Sequence, residues 1–246
     1  MSSVHRFTAK VVDIRQLTHD VRQIDLQLIE PEEIAFKAGQ FVSFEVPDVR
    51  TGRTVTRPYS LASAPGSPHK ISLLLNLVSG GPGSTYLFGL HEGDTTTFAG
   101  PAGNFYLRDD PARELLFVAN GTGIAPIRSM LLANAERPNP SRATLFWGLR
   151  SQRDLYYQDE LARLGMEHSG GLFITTLSRP QLGWVGVTGR VTNLVQQHIK
   201  DVKQLAVYLC GNSGMIKEVT GIIQEKGLCP IFREKYYDDA GGSDGE

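Results

Sequence analysis

The stretch that most restricts the fold is a five-residue apolar run, Leu115-Leu-Phe-Val-Ala119, followed at once by Gly121-Thr-Gly-Ile-Ala-Pro126. A continuous apolar run reads as a parallel strand buried on both faces. The glycines allow a tight turn and a close approach of phosphate to the backbone, and a following helix N-terminus favours an anion. Pro126 suits a first helical turn, where its missing N–H is not needed. The hexapeptide is Gly-x-Gly-x-x-Pro rather than Gly-x-Gly-x-x-Gly, so an ordinary strand-to-helix turn is the competing reading. Further strands are read at Ala143-Thr-Leu-Phe-Trp147, Leu172-Phe-Ile-Thr-Thr-Leu177 and Leu205-Ala-Val-Tyr-Leu209. Helical stretches between them place Ile124, Ile127, Met130 and Leu131 on one face and Met215, Val219 and Ile222 on another. This alternation predicts a doubly wound α/β sheet for the second half of the chain.

The first half has a different period. Val21-Arg-Gln-Ile-Asp-Leu-Gln-Leu28 and Lys70-Ile-Ser-Leu-Leu-Leu-Asn-Leu-Val78 alternate, with Ile24, Leu26 and Leu28, then Ile71, Leu73, Leu75 and Leu77, on single faces. Short strands with Gly and Pro punctuation predict an antiparallel β-barrel, with a short helix from about Ser84. The boundary falls near Arg108 to Pro111, giving a barrel over 1–108, an α/β unit over 109–237, and an acidic, glycine-rich tail over 238–246.

Charge and cysteine content exclude several function classes. The formal net charge is −1, which argues against a nucleic-acid partner. Only Cys210 and Cys229 are present, too few for an iron–sulfur cluster or a disulfide framework, and no metal site is expected. The opening MSSVHRFTAK lacks the apolar core of a secretory signal, and no run is long enough to span a membrane, so a cytoplasmic protein without a membrane partner is expected. It reads as a monomer or weak dimer.

Candidate binding residues cluster where strands end. Leu209-Cys-Gly-Asn-Ser-Gly-Met215 is a second strand-to-helix loop, which brings Cys210 and Gly211 towards Gly121, Thr122 and Gly123 at one crevice. A small buried hydrophobe is the competing reading of Cys210. Ser178 and Arg179, after the Leu172–Leu177 run, suit the 2′-phosphate of NADPH, with Arg150 in the same role; a solvated turn is the alternative. In Arg57-Pro-Tyr-Ser60 a phosphate-binding cation, an aromatic plane and a hydroxyl come from adjacent positions, a set that suits a flavin. Without context, a mixed-polarity edge strand is the better reading.

These segments resemble the ferredoxin–NADP+ reductase-like flavoproteins, most closely the bacterial ferredoxin/flavodoxin–NADP+ reductases. The motifs occur in family order: Arg57, Tyr59 and Ser60 about Pro58; Gly81, Ser84 and Leu87; Gly100, Pro101 and Gly103; Gly121 to Pro126; Cys210 and Gly211; Glu234 and Tyr236. The resemblance implies FAD and NADP(H), with NAD possible, and hydride transfer past Ser60 and Cys210. It implies Tyr59 stacking on the flavin, Arg57, Gly83, Ser84 and Thr85 on its diphosphate, Glu234 positioning the nicotinamide, and Tyr236 covering the other flavin face. A ferredoxin or flavodoxin partner is implied, and Arg50, Arg53 and Arg57 form a small basic segment for one.

Three positions depart from the family pattern. Asn76 stands where many relatives carry Lys or Arg beside the adenine side of FAD, Asn120 replaces a commoner Gly or Thr, and Tyr237 and the tail follow Tyr236. Competing readings are an oxygenase reductase component, a flavin reductase, and an electron-conduit subunit of a larger complex. The stretches Tyr106 to Asp110 and Trp184 to Gly189 are similar to flavin reductases.

Overall fold

A computed structural model describes residues 5–166 and 170–236. Tyr237 and the tail, for which the sequence suggests a flavin contact, lie outside the described residues.

The first half forms one six-stranded antiparallel sheet. Its strands are β1 (His5–Gln16), β2 (Val21–Glu30), β3 (Phe41–Asp48), β4 (Arg53–Ser60), β5 (Lys70–Asn76) and β6 (Thr95–Ala102), with α1 (Pro82–Phe88) between the last two. The order is β4-β3-β6-β1-β2-β5. The sheet curls until its two edges meet, where Leu61 bridges Leu73 and the Ala62 N–H donates to the Ser72 carbonyl at 2.8 Å. The alternating apolar residues fill the interior: Ile24, Leu26, Ile71, Leu73 and Leu75 pack with Phe7, Phe44 and Phe98. Leu77, expected to continue that face, lies beyond the end of β5 and is 46% exposed.

The polar face of β2 is not a solvent face. Gln23 and Asp25 are buried, Gln23 donates to Asp25 at 2.6 Å, and Asp25 pairs with Lys70 at 2.9 Å. The second domain covers that face: the Tyr157 hydroxyl donates to the Gln23 side chain.

The second half is a parallel sheet with helices on both sides. It contains β7 (Glu114–Asn120), α2 (Ile124–Ala135), β8 (Ala143–Leu149), α3 (Gln158–Met166), β9 (Leu172–Leu177), β10 (Val187–Thr188), α4 (Val191–His198), β11 (Leu205–Gly211), α5 (Ser213–Lys226) and β12 (Ile231–Lys235). The order is β10-β9-β8-β7-β11-β12, and each pair is parallel. Because β7 is buried on both faces, its residues alternate between two cores. Leu115, Phe117 and Ala119 pack under α2 and α3, while Leu116 and Val118 pack under α4 and α5. From β7 the chain steps outward through β8, β9 and β10 and then crosses back to β11 on the other side of β7, so the strand order reverses there, where open α/β sheets form a crevice at the carboxyl ends.

The α2 side of this core continues into the barrel, where Val21, Ala38, Ala62, Leu74 and Phe105 belong to the same apolar cluster as Ile127, Met130 and Leu131. The connection between the sheets is tied down at both ends: Leu107 N–H donates to the Ala38 carbonyl at 2.9 Å, and Arg108 N–H to the buried Tyr208 hydroxyl at 2.9 Å. Tyr208→Phe strands that backbone N–H, so a loss of about 1–3 kcal/mol in unfolding free energy is expected in urea titration, with no change of fold by circular dichroism.

Candidate functional site

The crevice is built by backbone close approach. After β7 the chain makes a 3₁₀ turn over Gly121–Gly123 and enters α2, with no side chain capping either start. Gly121 has φ +52° and its carbonyl accepts the Trp147 indole N–H at 2.9 Å. A Cβ on Gly123 would lie 2.4 Å from the Cys210 carbonyl oxygen, so only glycine lets this turn rest on the end of β11. Gly211 has φ +150°, and a Cβ there would fall 1.9 Å from Asn120 Oδ1. That oxygen accepts the Asn212 N–H at 3.1 Å, while the Asn212 side chain accepts from Met215 N–H at 2.8 Å and caps α5. Asn120 therefore ties the two loops together, a reason for its place ahead of the glycines.

The four residues expected to carry the chemistry meet at this crevice. Parallel pairing of β11 and β12 sets Cys210 opposite Glu234. Ser60, the last residue of β4 and 5% exposed, donates to Glu234 Oε1 at 3.1 Å. The Tyr236 N–H donates to the Gly211 carbonyl at 3.0 Å, and its hydroxyl donates to Ser60 Oγ at 3.3 Å.

Burial dominates the electrostatics of this group. It lifts the Glu234 carboxyl to about 7, only partly opposed by the Ser60 hydrogen bond. Burial, then the nearby Glu234 charge, pushes the Cys210 thiol well above its ordinary value. Burial, then Cys210, does the same to the Tyr236 phenol. At neutral pH the thiol and phenol keep their protons, and Glu234 is the group poised to exchange one.

A second constellation lies along β4 and α1. A Cβ on Gly83 would fall 2.4 Å from the Tyr59 hydroxyl and 2.9 Å from Arg57 Cβ, so α1 lies directly on these two side chains. Helix α1 starts at Pro82 without a side-chain cap, and its first backbone bond runs from Thr85 N–H to the Gly81 carbonyl at 3.0 Å. The Gly83 and Ser84 amides therefore have no intrahelical acceptor. The Ser84 hydroxyl is already engaged with the Val78–Gly81 turn. The Arg57 guanidinium touches only its neighbour's carbonyl, at Thr56 and 2.9 Å, among the described residues. A guanidinium beside uncapped amides suits a diphosphate, and the Tyr59 hydroxyl lies against Gly83 at the same place. Pro58 faces outward and Thr85 is exposed.

At the far end of the crevice, the Arg179 N–H donates to the Arg150 carbonyl at 2.7 Å, which brings the two arginines side by side. Both are exposed, and the Ser178 hydroxyl donates back to the Leu149 carbonyl at 3.3 Å. Asn76 Oδ1 accepts the Thr122 hydroxyl at 3.0 Å, joining the end of β5 to the glycine turn. The sequence held no signal for this bond, nor for β12, whose five residues alternate too briefly to mark a strand.

The comparisons with known proteins agree with this layout. The family described as the oxidoreductase FAD-binding domain matches residues 8–106, and that described as the oxidoreductase NAD-binding domain matches 117–221. The chain is 33% identical over 229 residues to ferredoxin–NADP reductase B of Sorangium cellulosum (strain So ce56), covering 89% of this chain and 91% of that one. It is 28% identical to the reductase component of propane 2-monooxygenase from Rhodococcus jostii (strain RHA1), covering 92% of this chain but 62% of that one. Among solved structures, the Amycolatopsis cytochrome P450 reductase GcoB superposes with a TM-score of 0.83 at 28% identity, over 94% of this chain and 70% of that one. A ferredoxin NADP+ reductase from Neisseria gonorrhoeae, solved with FAD and NADP bound, shares the fold with a TM-score of 0.76 at 23% identity, over 94% and 98% of the two chains.

The raised Glu234 value has a stability consequence with a definite sign. The folded carboxyl holds its proton up to about 7, against 4.5 ordinarily, so the folded state binds more protons in that window. Stability then falls as pH rises from 4.5 through 7, by about 3 kcal/mol, and stays reduced above. Glu234→Gln removes this titration. Its stability relative to the parent is expected to grow from nothing at pH 4 to about 3 kcal/mol at pH 8.5 in denaturant titrations. A pH-independent difference would mean a solvated carboxylate.

Proposed function

The chain belongs to the ferredoxin–NADP reductase family and exchanges electrons between NAD(P)H and FAD, and we propose that it passes them singly to or from a small ferredoxin or flavodoxin. The observation that carries this reading is the convergence of Ser60, Cys210, Glu234 and Tyr236 from both sheets on one buried point. On this reading residues 1–108 hold FAD and 109–237 hold the nicotinamide dinucleotide. Bound FAD supplies the redox step, accepting a hydride from the nicotinamide and releasing electrons one at a time.

The protein's own residues bind, align and shield. Arg57 and the Gly83 and Ser84 amides hold the diphosphate of FAD, with Thr85 at the rim, and Tyr59 lies against its ring system. The turn of Gly121, Thr122 and Gly123 receives the dinucleotide phosphates, while Cys210 and Gly211 form the floor beneath the nicotinamide. Ser60 and Glu234 hold a proton between them where the two rings meet. The Tyr236 hydroxyl, donating to Ser60, occupies that point, so Tyr236 has to swing out for the nicotinamide to enter. Arg179, with Ser178 and Arg150, takes the 2′-phosphate, since a guanidinium binds phosphate through two parallel bonds. Exposed Arg50 and Arg53, next to β4, offer an acidic carrier a basic approach.

A second reading is a reductase component serving one oxygenase. It is favoured by the 28% identity to the propane 2-monooxygenase reductase component, 62% of whose length this chain matches.

Anaerobic stopped-flow reduction by NADPH and by NADH, followed by mixing with ferredoxin or flavodoxin, tests the proposal. Rapid flavin bleaching by NADPH and rapid reoxidation by a carrier are expected. Bleaching by NADH alone, with no reoxidation by any carrier, would favour the oxygenase component. Arg179→Ala should raise KM for NADPH about tenfold while changing KM for NADH little, as expected for loss of one charge-assisted phosphate contact. Equal changes for both coenzymes would remove the phosphate assignment.

A further inference from the structure

The two sheets are joined near the crevice by side chains that the redox chemistry does not use. Arg128, on the second turn of α2, is buried against the barrel with its side chain 12% exposed. Its Nη1 donates to the Ala62 carbonyl at 2.6 Å, and its Nη2 pairs with Glu160 Oε1 at 2.6 Å. The guanidinium carbon lies 4.9 Å from the centre of the Tyr157 ring. Next to it, the fully buried Ser129 hydroxyl donates to the Ser63 carbonyl at 2.6 Å.

These two carbonyls follow Ser60 by two and three residues. The segment between is stitched into the barrel: Leu61 N–H donates to the Gln40 carbonyl at 2.9 Å, and Ala62 N–H to Ser72. A shift of Ala62 therefore carries Ser60 with it. On the other side, α2 begins one residue after Gly123, and a helical turn is stiff. We propose that Arg128 is a positioning residue which sets the separation between the Ser60 strand end and the Gly121–Gly123 turn, and so the alignment of the two cofactor rings. A planar guanidinium holds a carbonyl and a carboxylate in one fixed fork, whereas a lysine ammonium is a flexible point charge that does not fix their relative orientation. Ser129 supplies the second point, so that the joint resists rotation as well as separation.

The kinetic arm of the test rests on the functional reading above, and hydrogen exchange does not. In the full chain with FAD bound, Arg128→Met should lower the rate of flavin reduction at saturating NADPH at least about tenfold, because small misplacements of reacting atoms are costly. KM for NADPH should move less than about threefold. Arg128→Lys should restore expression and flavin content but not the rate, and Ser129→Ala should show a smaller loss. Exchange at residues 61–63 and 121–135 should quicken about tenfold, with the interior strands of both sheets unchanged. Variants that retain FAD and reduce at the parent rate would overturn the proposal, as would exchange that rises uniformly across both sheets. If the parent itself is reduced by neither nicotinamide, the functional reading fails, and the exchange pattern alone decides the positioning role.

Discussion

The hydrogen bond from Ser60 to Glu234, 3.1 Å long, joins the ends of two strands that are 174 residues apart and belong to different sheets. Neither end could reach that place alone. Ser60 is carried there by β4, whose edge meets β5 as the barrel curls. Glu234 is carried by β12, whose only strand neighbour among the described residues is β11, in a register that puts it beside Cys210. The site is therefore a property of how the sheets are held together, and the polar bonds at the boundary determine its geometry. Thr122 to Asn76, Tyr157 to Gln23 and Arg128 to Ala62 are three such bonds, each between a loop or helix of the parallel sheet and a strand end of the barrel.

Desolvation at that junction has a chemical effect. A buried thiol and a buried phenol with raised pKa values are neutral at physiological pH, so neither serves as a nucleophile. The group left able to exchange a proton near neutrality is the carboxyl of Glu234. Its hydrogen bond to Ser60 favours the ionised form, and burial favours the protonated one; burial wins, but narrowly enough to leave the value at about 7. A site organised in this way can supply or take up one proton while two electrons move, without any strong acid or base nearby.

Much of this was legible in the sequence because it is local. A buried strand, a glycine turn and a helix occupy thirteen consecutive residues from Leu115 to Ile127, and each element has its own signature. The alternation of β2 and β5 marked the barrel in the same way. The register of β12 was not legible: Ile231–Lys235 is short, mixed in polarity and stabilised by pairing with β11 rather than by its own pattern. Asn76 and Asn120 looked like departures around a ligand, and both turn out to bond the protein's own backbone or side chains. The burial of Gln23 and Asp25 was not legible, because alternation says which side of a strand is polar but not what covers it. Arg128 gave no signal, since a helical arginine is ordinarily solvated. Contacts between distant segments depend on the final arrangement of the sheets, and one chain's residue order carries little of that.

The position of Tyr236 follows from the same arrangement and bears on how the proposed nicotinamide site opens. The residue comes directly after the last paired position of β12, Lys235 opposite Gly211, and its N–H is fixed by the Gly211 carbonyl. The backbone is thus pinned while the side chain is free to turn about its own bonds. Turning it out breaks the hydrogen bond to Ser60, worth about 1 kcal/mol net. Such a cost lies well within the binding energy of a dinucleotide, since even a micromolar ligand contributes about 8 kcal/mol.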